Sequence, residues 1–189
     1  MHLTVHTDDT APPASRPLLA GIADDLGLVP NLAATVAESP ALLAAFDALR
    51  RAVGAVGIDP VLREVAGLAV GVAVDNAYGV AFHSTVLAQL GTSEADLDAM
   101  RAGRPPSDTT AAAIHDLARE VVLTRGKVDD AVVDRAVTAG LSSEAILDVV
   151  AECTFAALVG TVDNLAGRVE LDAFLAPRAW GASPAREGR

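Results

Sequence analysis

The chain has 189 residues, enough for one domain with a sizeable core, and its 51% apolar, 21% charged composition excludes a disordered polypeptide. A formal net charge of −11 argues against partners that present phosphate, whether nucleic acid or an anionic membrane surface, and suits a soluble cytoplasmic protein. Cys153 is the single cysteine, so a disulfide-stapled scaffold is excluded, and aromatics at 3% point to a core of small aliphatic residues.

Residues 1–16 are polar and Pro-rich, without an apolar stretch of signal-peptide type, and are expected to form a mobile N-terminal segment ahead of a helical domain over 17–174. "RPLLAGIADDLGLVP" predicts a short helix that stops near Gly27 and Pro30. In "SPALLAAFDALRRAVGAVG", Ser39 suits an N-cap and Pro40 the first helical position, and Leu42, Leu43, Phe46, Leu49 and Val53 follow helical spacing. "DPVLREVAGLAVGVAV" repeats the device with Asp59 and Pro60.

A further helix runs through 75–90 to Gly91, then a short capped one in "TSEADLDAMRAG". Ser107 or Asp108 starts a helix to about Arg125, and two more lie near 129–139 and 143–170, the last with a possible break at Gly160. The end, 175–189, reads as a loose tail in which Trp180 is either exposed or packed on a partner. No run of alternating β-branched residues calls for a strand, so the fold class is all-α. The longest apolar run, "VAGLAVGVAV", is ten residues, short of the roughly 18 that a spanning helix needs. "TSEADLDAM" and "SSEAILDVV" echo each other at an offset of 50 residues, as a repeated helical unit or as two generic helix starts would.

Polar residues cluster in the apolar stretch "VAVDNAYGVAFHSTVL". Asn76, Gly79 and His83 share one helical face. Glu64 lies 19 residues before His83, roughly 100° away on a straight helix, and joins that face only if the chain bends near Gly71–Asp75, where Asp75 could cap a new helix. Two readings fit. In one, Glu64 pairs with Arg63 or another surface base, His83 is a satisfied core or interface histidine and Asp75 is only a cap. In the other, Glu64 and His83 form a carboxylate–imidazole pair able to move protons near neutral pH. His115 reads as a surface or interface residue, and His2 and His6 lie in the N-terminal segment. Four histidines without paired spacing make no metal site, "GVAVDNAYG" lacks the context of a phosphate loop, and no cofactor is implied.

"PNLAATVAESPALLAAFDALRRAV", "LREVAGLAVGVAVDNAYGVAFHSTVLAQLG" and "DLAREVVLTRGKVDDAVVDRAVTAGLSSEAILDVVAECTFAALVGTVDNLAG" together resemble the carboxymuconolactone decarboxylase-like family, which includes the AhpD-like proteins of the alkylhydroperoxidase type, from about residue 18 to 174. The resemblance implies an AhpD-like helical bundle that assembles as a homotrimer or homohexamer. Redox members carry a glutamate, a Cys-x-x-Cys pair and, after three intervening residues, a histidine. By position these fall on Glu64, Asn76, Gly79 and His83, so both thiols are absent here. The dithiol mechanism, which needs an attacking and a resolving thiol, is therefore disfavoured.

Three functions remain open. Glu64 and His83 could do acid–base work on a small organic substrate, carboxylated or a lactone, with Tyr78 as an added donor and Asp75, Asn76 and Gly79 as pocket residues. The protein could be a catalytically degenerate ligand-binding or oligomeric member. Cys153 could support residual alkyl hydroperoxidase chemistry, although a small buried hydrophobe is the plainer reading of it.

Overall fold

The computed structural model describes residues 3–181, and among them it has α-helices, one 3-10 turn and no strand. The helices are α1 (Arg16–Leu26), α2 (Asn31–Val36), α3 (Pro40–Gly54), α4 (Pro60–Ala73), α5 (Ala77–Gln89), α6 (Glu94–Arg101), α7 (Thr109–Thr124), α8 (Asp130–Thr138) and α9 (Ser143–Ala166), followed by the turn Ala176–Arg178.

Local chemistry explains most of the starts. Ser39 accepts from the Leu42 N–H, Asp59 from Val61, Ser93 from Asp96, Asp108 from Ala111, Asp129 from Ala131 and Ser142 from Ala145. Each such cap satisfies a donor the helix cannot, and is worth about 1 kcal/mol. Proline stands in the first turn of α1, α3 and α4, where its missing N–H costs nothing. Gly27 and Gly167 end α1 and α9 in the left-handed conformation, which lacks a Cβ penalty only at glycine.

α4 is the centre of the bundle and packs against α5, α7 and α9. Its face towards α7 and α6 builds one apolar cluster, in which Leu68, Leu87, Leu97, Met100, Ile114 and Leu117 are buried. A second cluster, with Leu19, Ile22, Leu43, Phe46, Tyr78 and Leu175, joins α1–α3 to α5 and α9. α9 is long and apolar enough to cross a membrane by length and composition. Here it packs on α3, α4, α5 and α7 and buries Glu152 and Asp163.

Several expectations are corrected. α2 is a helix that the sequence signals do not announce; it is a single short segment that buries every residue but its first. α9 runs unbroken through Gly160, whose role is steric: a Cβ there would collide with the Val74 side chain and press on Asn76. The N-terminal segment lies against the body rather than apart from it. Ala11 and Ser15 are buried, and the Ser15 hydroxyl donates to the Ala37 carbonyl at 2.7 Å.

The start of the tail is likewise docked. Leu175 is buried, Arg178 meets Glu94 at 2.6 Å and the Trp180 indole N–H donates to the Arg101 carbonyl at 3.1 Å. The rest of the tail, 182–189, and His2 lie outside the described residues. His115 is buried on α7, its Nδ1 3.1 Å from Asp116, and burial pulls its pKa down.

Candidate active site

The site begins at the break between α4 and α5. α4 ends at Ala73, Asp75 takes a left-handed conformation (φ 57°), and Asn76 caps α5 by accepting the Gly79 N–H at 2.9 Å. Asp75 is therefore not the cap. It is the corner, and aspartate tolerates that conformation better than most residues. The end of α9 holds the corner. Arg168 donates to the Asp75 carbonyl and carboxylate, and the Asn164 amide donates to the Val74 carbonyl at 2.8 Å. The buried Asp163 carboxylate receives Arg168 at 3.1 Å and the Val169 N–H at 2.8 Å.

This break puts His83 on α5 over Glu64 on α4. His83 Nδ1 and Glu64 Oε2 are 2.8 Å apart, both side chains buried. Arg63 donates to the other Glu64 oxygen at 2.8 Å. The imidazole rests on Gly67, where any side chain would overlap the ring. Burial disfavours both charges, but the hydrogen bond and mutual attraction outweigh it: His83 is pushed up, and Glu64, also held by Arg63, is pushed down. With Nδ1–H donated to Glu64, Nε2 is left to face a third group, the Glu152 carboxyl, whose Oε1 lies 4.0 Å away. Burial, reinforced by the charge of Glu64, pushes the Glu152 pKa up against the opposing pull of His83 and Arg63.

The sequence does not single out Glu152. Its only signal there is an acid within the apolar stretch "VVAECTFAALVG" of a helix that sequence alone does not orient.

These groups form the polar end of a cavity of about 460 Å³ between α3, α4, α5 and α9, with the α1–α2 connection and Phe174 at its edge. All four phenylalanines of the chain, Phe46, Phe82, Phe155 and Phe174, and its single tyrosine, Tyr78, line this one cavity, together with Leu26, Leu28 and Leu32. Phe46 and Phe155 stack at a tilt with centroids 5.3 Å apart, and Phe82 stands edge-on to His83 at 5.3 Å. Arg50 and Arg63 reach the wall, but Arg50 is bound to Asp25 and Asp47 and Arg63 to Glu64.

The remaining sequence candidates divide. Gly79 is on the wall. Tyr78 is too, yet its hydroxyl donates to Asp172, so it is not a free donor, and burial together with Asp172 pushes its pKa up. Asp75 and Asn76 are not on the wall; they build the corner behind it. Cys153 is buried in the first apolar cluster with its thiol 3.7 Å from the Ala118 carbonyl, off the cavity wall, and burial, with the nearby Glu152 charge, pushes it up to about 12.

The model of the carboxymuconolactone decarboxylase family matches residues 40–120, which include Glu64, Asn76, Gly79 and His83. No curated protein matches the chain in sequence. Among solved structures, an uncharacterized peroxidase-related protein from Ralstonia eutropha JMP134, described as an alkylhydroperoxidase AhpD core, is 23% identical with a TM-score of 0.78, over 91% of this chain and 93% of that one. A variant of the debrominase Bmp8, solved in complex with 2,3,4-tribromopyrrole, is 17% identical with a TM-score of 0.74, over 94% of each chain. An uncharacterized peroxidase-related protein from Silicibacter sp. TM1040 is 17% identical with a TM-score of 0.72, over 92% of this chain and 91% of that one. Residues 40–120 thus match the carboxymuconolactone decarboxylase family model, and the chain shares its fold with the AhpD-like structures.

Proposed function

We propose that this protein is a non-redox acid–base enzyme acting on a small organic molecule through Glu64 and His83. The observation that carries the reading is the buried 2.8 Å Glu64–His83 contact at the polar end of an otherwise apolar cavity. Glu64 fixes the ring by accepting from Nδ1–H and raises its basicity, so that Nε2 takes and returns the substrate proton. Peroxide chemistry finds little support: the dithiol positions hold Asn76 and Gly79, and Cys153 is neither on the wall nor readily ionised. A carboxylated or lactone substrate would direct its acidic group to Arg63 or Arg50, competing with carboxylates the protein already places there. Self-assembly belongs to the same reading, since α9 leaves Leu147, Val150 and Leu165 exposed.

The test is proton exchange. A panel of small carboxylated and lactone carbon acids is incubated with the protein in D2O and followed by proton NMR. Exchange above the buffer rate is expected for at least one compound, falling to background in His83→Ala and by about 100-fold or more in Glu64→Gln. Exchange that survives His83→Ala overturns the assignment. Saturable binding without exchange supports the ligand-binding alternative, which the occupation of the dithiol positions by a capping asparagine also favours.

A further inference from the structure

The cavity gathers five of the six aromatic residues of the chain. Phe46 and Phe155 form its interior, and Phe82 and Phe174 are exposed near its mouth. The buried members of the first apolar cluster are Leu, Val, Ile, Met, Ala and Cys153, with Trp180 packed only partly buried against it, so the phenylalanines are not a general filling material. They surround a single polar end, where His83 Nε2 and Glu152 Oε1 stand 4.0 Å apart. That gap is too long for a hydrogen bond between them, but one oxygen at about 2.8 Å from each would bridge it.

We propose that the cavity takes a small, flat aromatic or conjugated ring bearing an acidic hydroxyl, with the ring among Phe46, Phe82, Phe155 and Phe174 and the hydroxyl oxygen bridging His83 Nε2 and the Glu152 carboxyl. Ring walls favour a flat π-system through offset and edge-on contacts that a saturated ring of equal area does not make. His83 and Glu152 hold one proton between them. Whichever carries it donates to the hydroxyl oxygen, and the other accepts the hydroxyl proton, so a phenol or enol satisfies both, while an ether leaves one unpaired and a bare arene leaves both. Both groups are shifted upward, towards holding a proton. This assignment rests on the acid–base reading of His83 and narrows its substrate.

Calorimetric titration of the full chain with 4-nitrophenol, nitrobenzene and cyclohexanol separates ring from hydroxyl. Binding of 4-nitrophenol is expected, about tenfold tighter than nitrobenzene for the lost charged hydrogen bond, and several-fold or more tighter than cyclohexanol for the lost ring contacts. Glu152→Gln removes the charge but leaves His83 Nε2 and a neutral acceptor, so it should cut the preference for 4-nitrophenol over nitrobenzene several-fold and leave nitrobenzene binding as it was. Cyclohexanol binding as tight as 4-nitrophenol overturns the ring assignment, and a hydroxyl preference undiminished in Glu152→Gln overturns the role of Glu152. Proton exchange without 4-nitrophenol binding overturns this inference alone. Binding as expected with no exchange from any compound supports it and overturns the enzymatic reading.

Discussion

The Asn76 side chain folds over Gly79 and fills the space a side chain at 79 would need. Its Oδ1 accepts the Gly79 N–H at 2.9 Å, and a Cβ on Gly79 would run into its amide nitrogen. The two residues that the sequence resemblance sets at the thiol positions of redox members form one structural unit, a cap and the glycine it covers.

That coupling predicts non-additive substitutions. Gly79→Cys alone should cost about 1–3 kcal/mol by overpacking, and Asn76→Cys alone about 1 kcal/mol by loss of the cap. The double variant removes the asparagine that the new side chain collides with, so it should cost clearly less than the two single losses combined. Urea unfolding of the three variants measures this; strict additivity would show that Asn76 does not hold Gly79 bare.

Gly67 is the floor under the His83 ring. A Cβ there overlaps the His83 imidazole, so Gly67→Ala should push the ring off Glu64 and abolish proton exchange while costing about 1–3 kcal/mol of stability. Ring proton NMR of His83 would report the displacement. An unchanged His83 signal in a folded Gly67→Ala variant would contradict the packing described.

The buried pair should leave a signature in stability against pH. His83 is raised, so its contribution is fully present below the unfolded value of about 6.5 and is lost as pH rises through its folded pKa. Glu64 is lowered, so its contribution is present above the unfolded value of about 4.3 and is lost as pH falls through its folded pKa. The pair therefore stabilises most in the mildly acidic to neutral range. His83→Gln should flatten the decline on the alkaline side in chemical denaturation series, and a decline of equal slope in both proteins would place the responsible group elsewhere.

Glu152 adds to the alkaline decline. With its pKa raised in the fold, the ionised carboxylate is a burden above that value, after the attraction of His83 and Arg63 is counted. Glu152→Gln is expected to stabilise the protein at pH 8 while weakening recognition of a hydroxylated ring. A loss of stability at pH 8 would mean instead that the carboxylate is needed to hold the charged imidazole.

Cys153 should behave as packing. With its thiol pushed up to about 12 and enclosed, it should resist alkylation in the native state and react only as the protein unfolds. Any peroxide consumption by the protein should be unchanged in Cys153→Ser at equal folded fraction. Rapid native-state labelling would reopen thiol chemistry.

The sequence by itself determined every helix but α2, and where most of them start, because those signals are local. Ser39, Asp59, Ser93, Asp108 and Ser142 cap the turn that follows them, whatever the rest of the chain does. It also marked Glu64 and His83, through spacing and the family resemblance. The tertiary structure decided what surrounds them. Asp75 became a corner rather than a cap because the end of α9 brings Arg168 to it across 93 residues. Tyr78 lost its role as a donor because Asp172 reaches it across 94. Glu152 entered the site, Cys153 turned into the core one residue later on the same helix, and four phenylalanines from separate segments met in one cavity. Adjacent residues on a helix point about 100° apart, so which of the two faces the histidine depends on how α9 is rotated against α4 and α5, and only the packing of the whole bundle sets that.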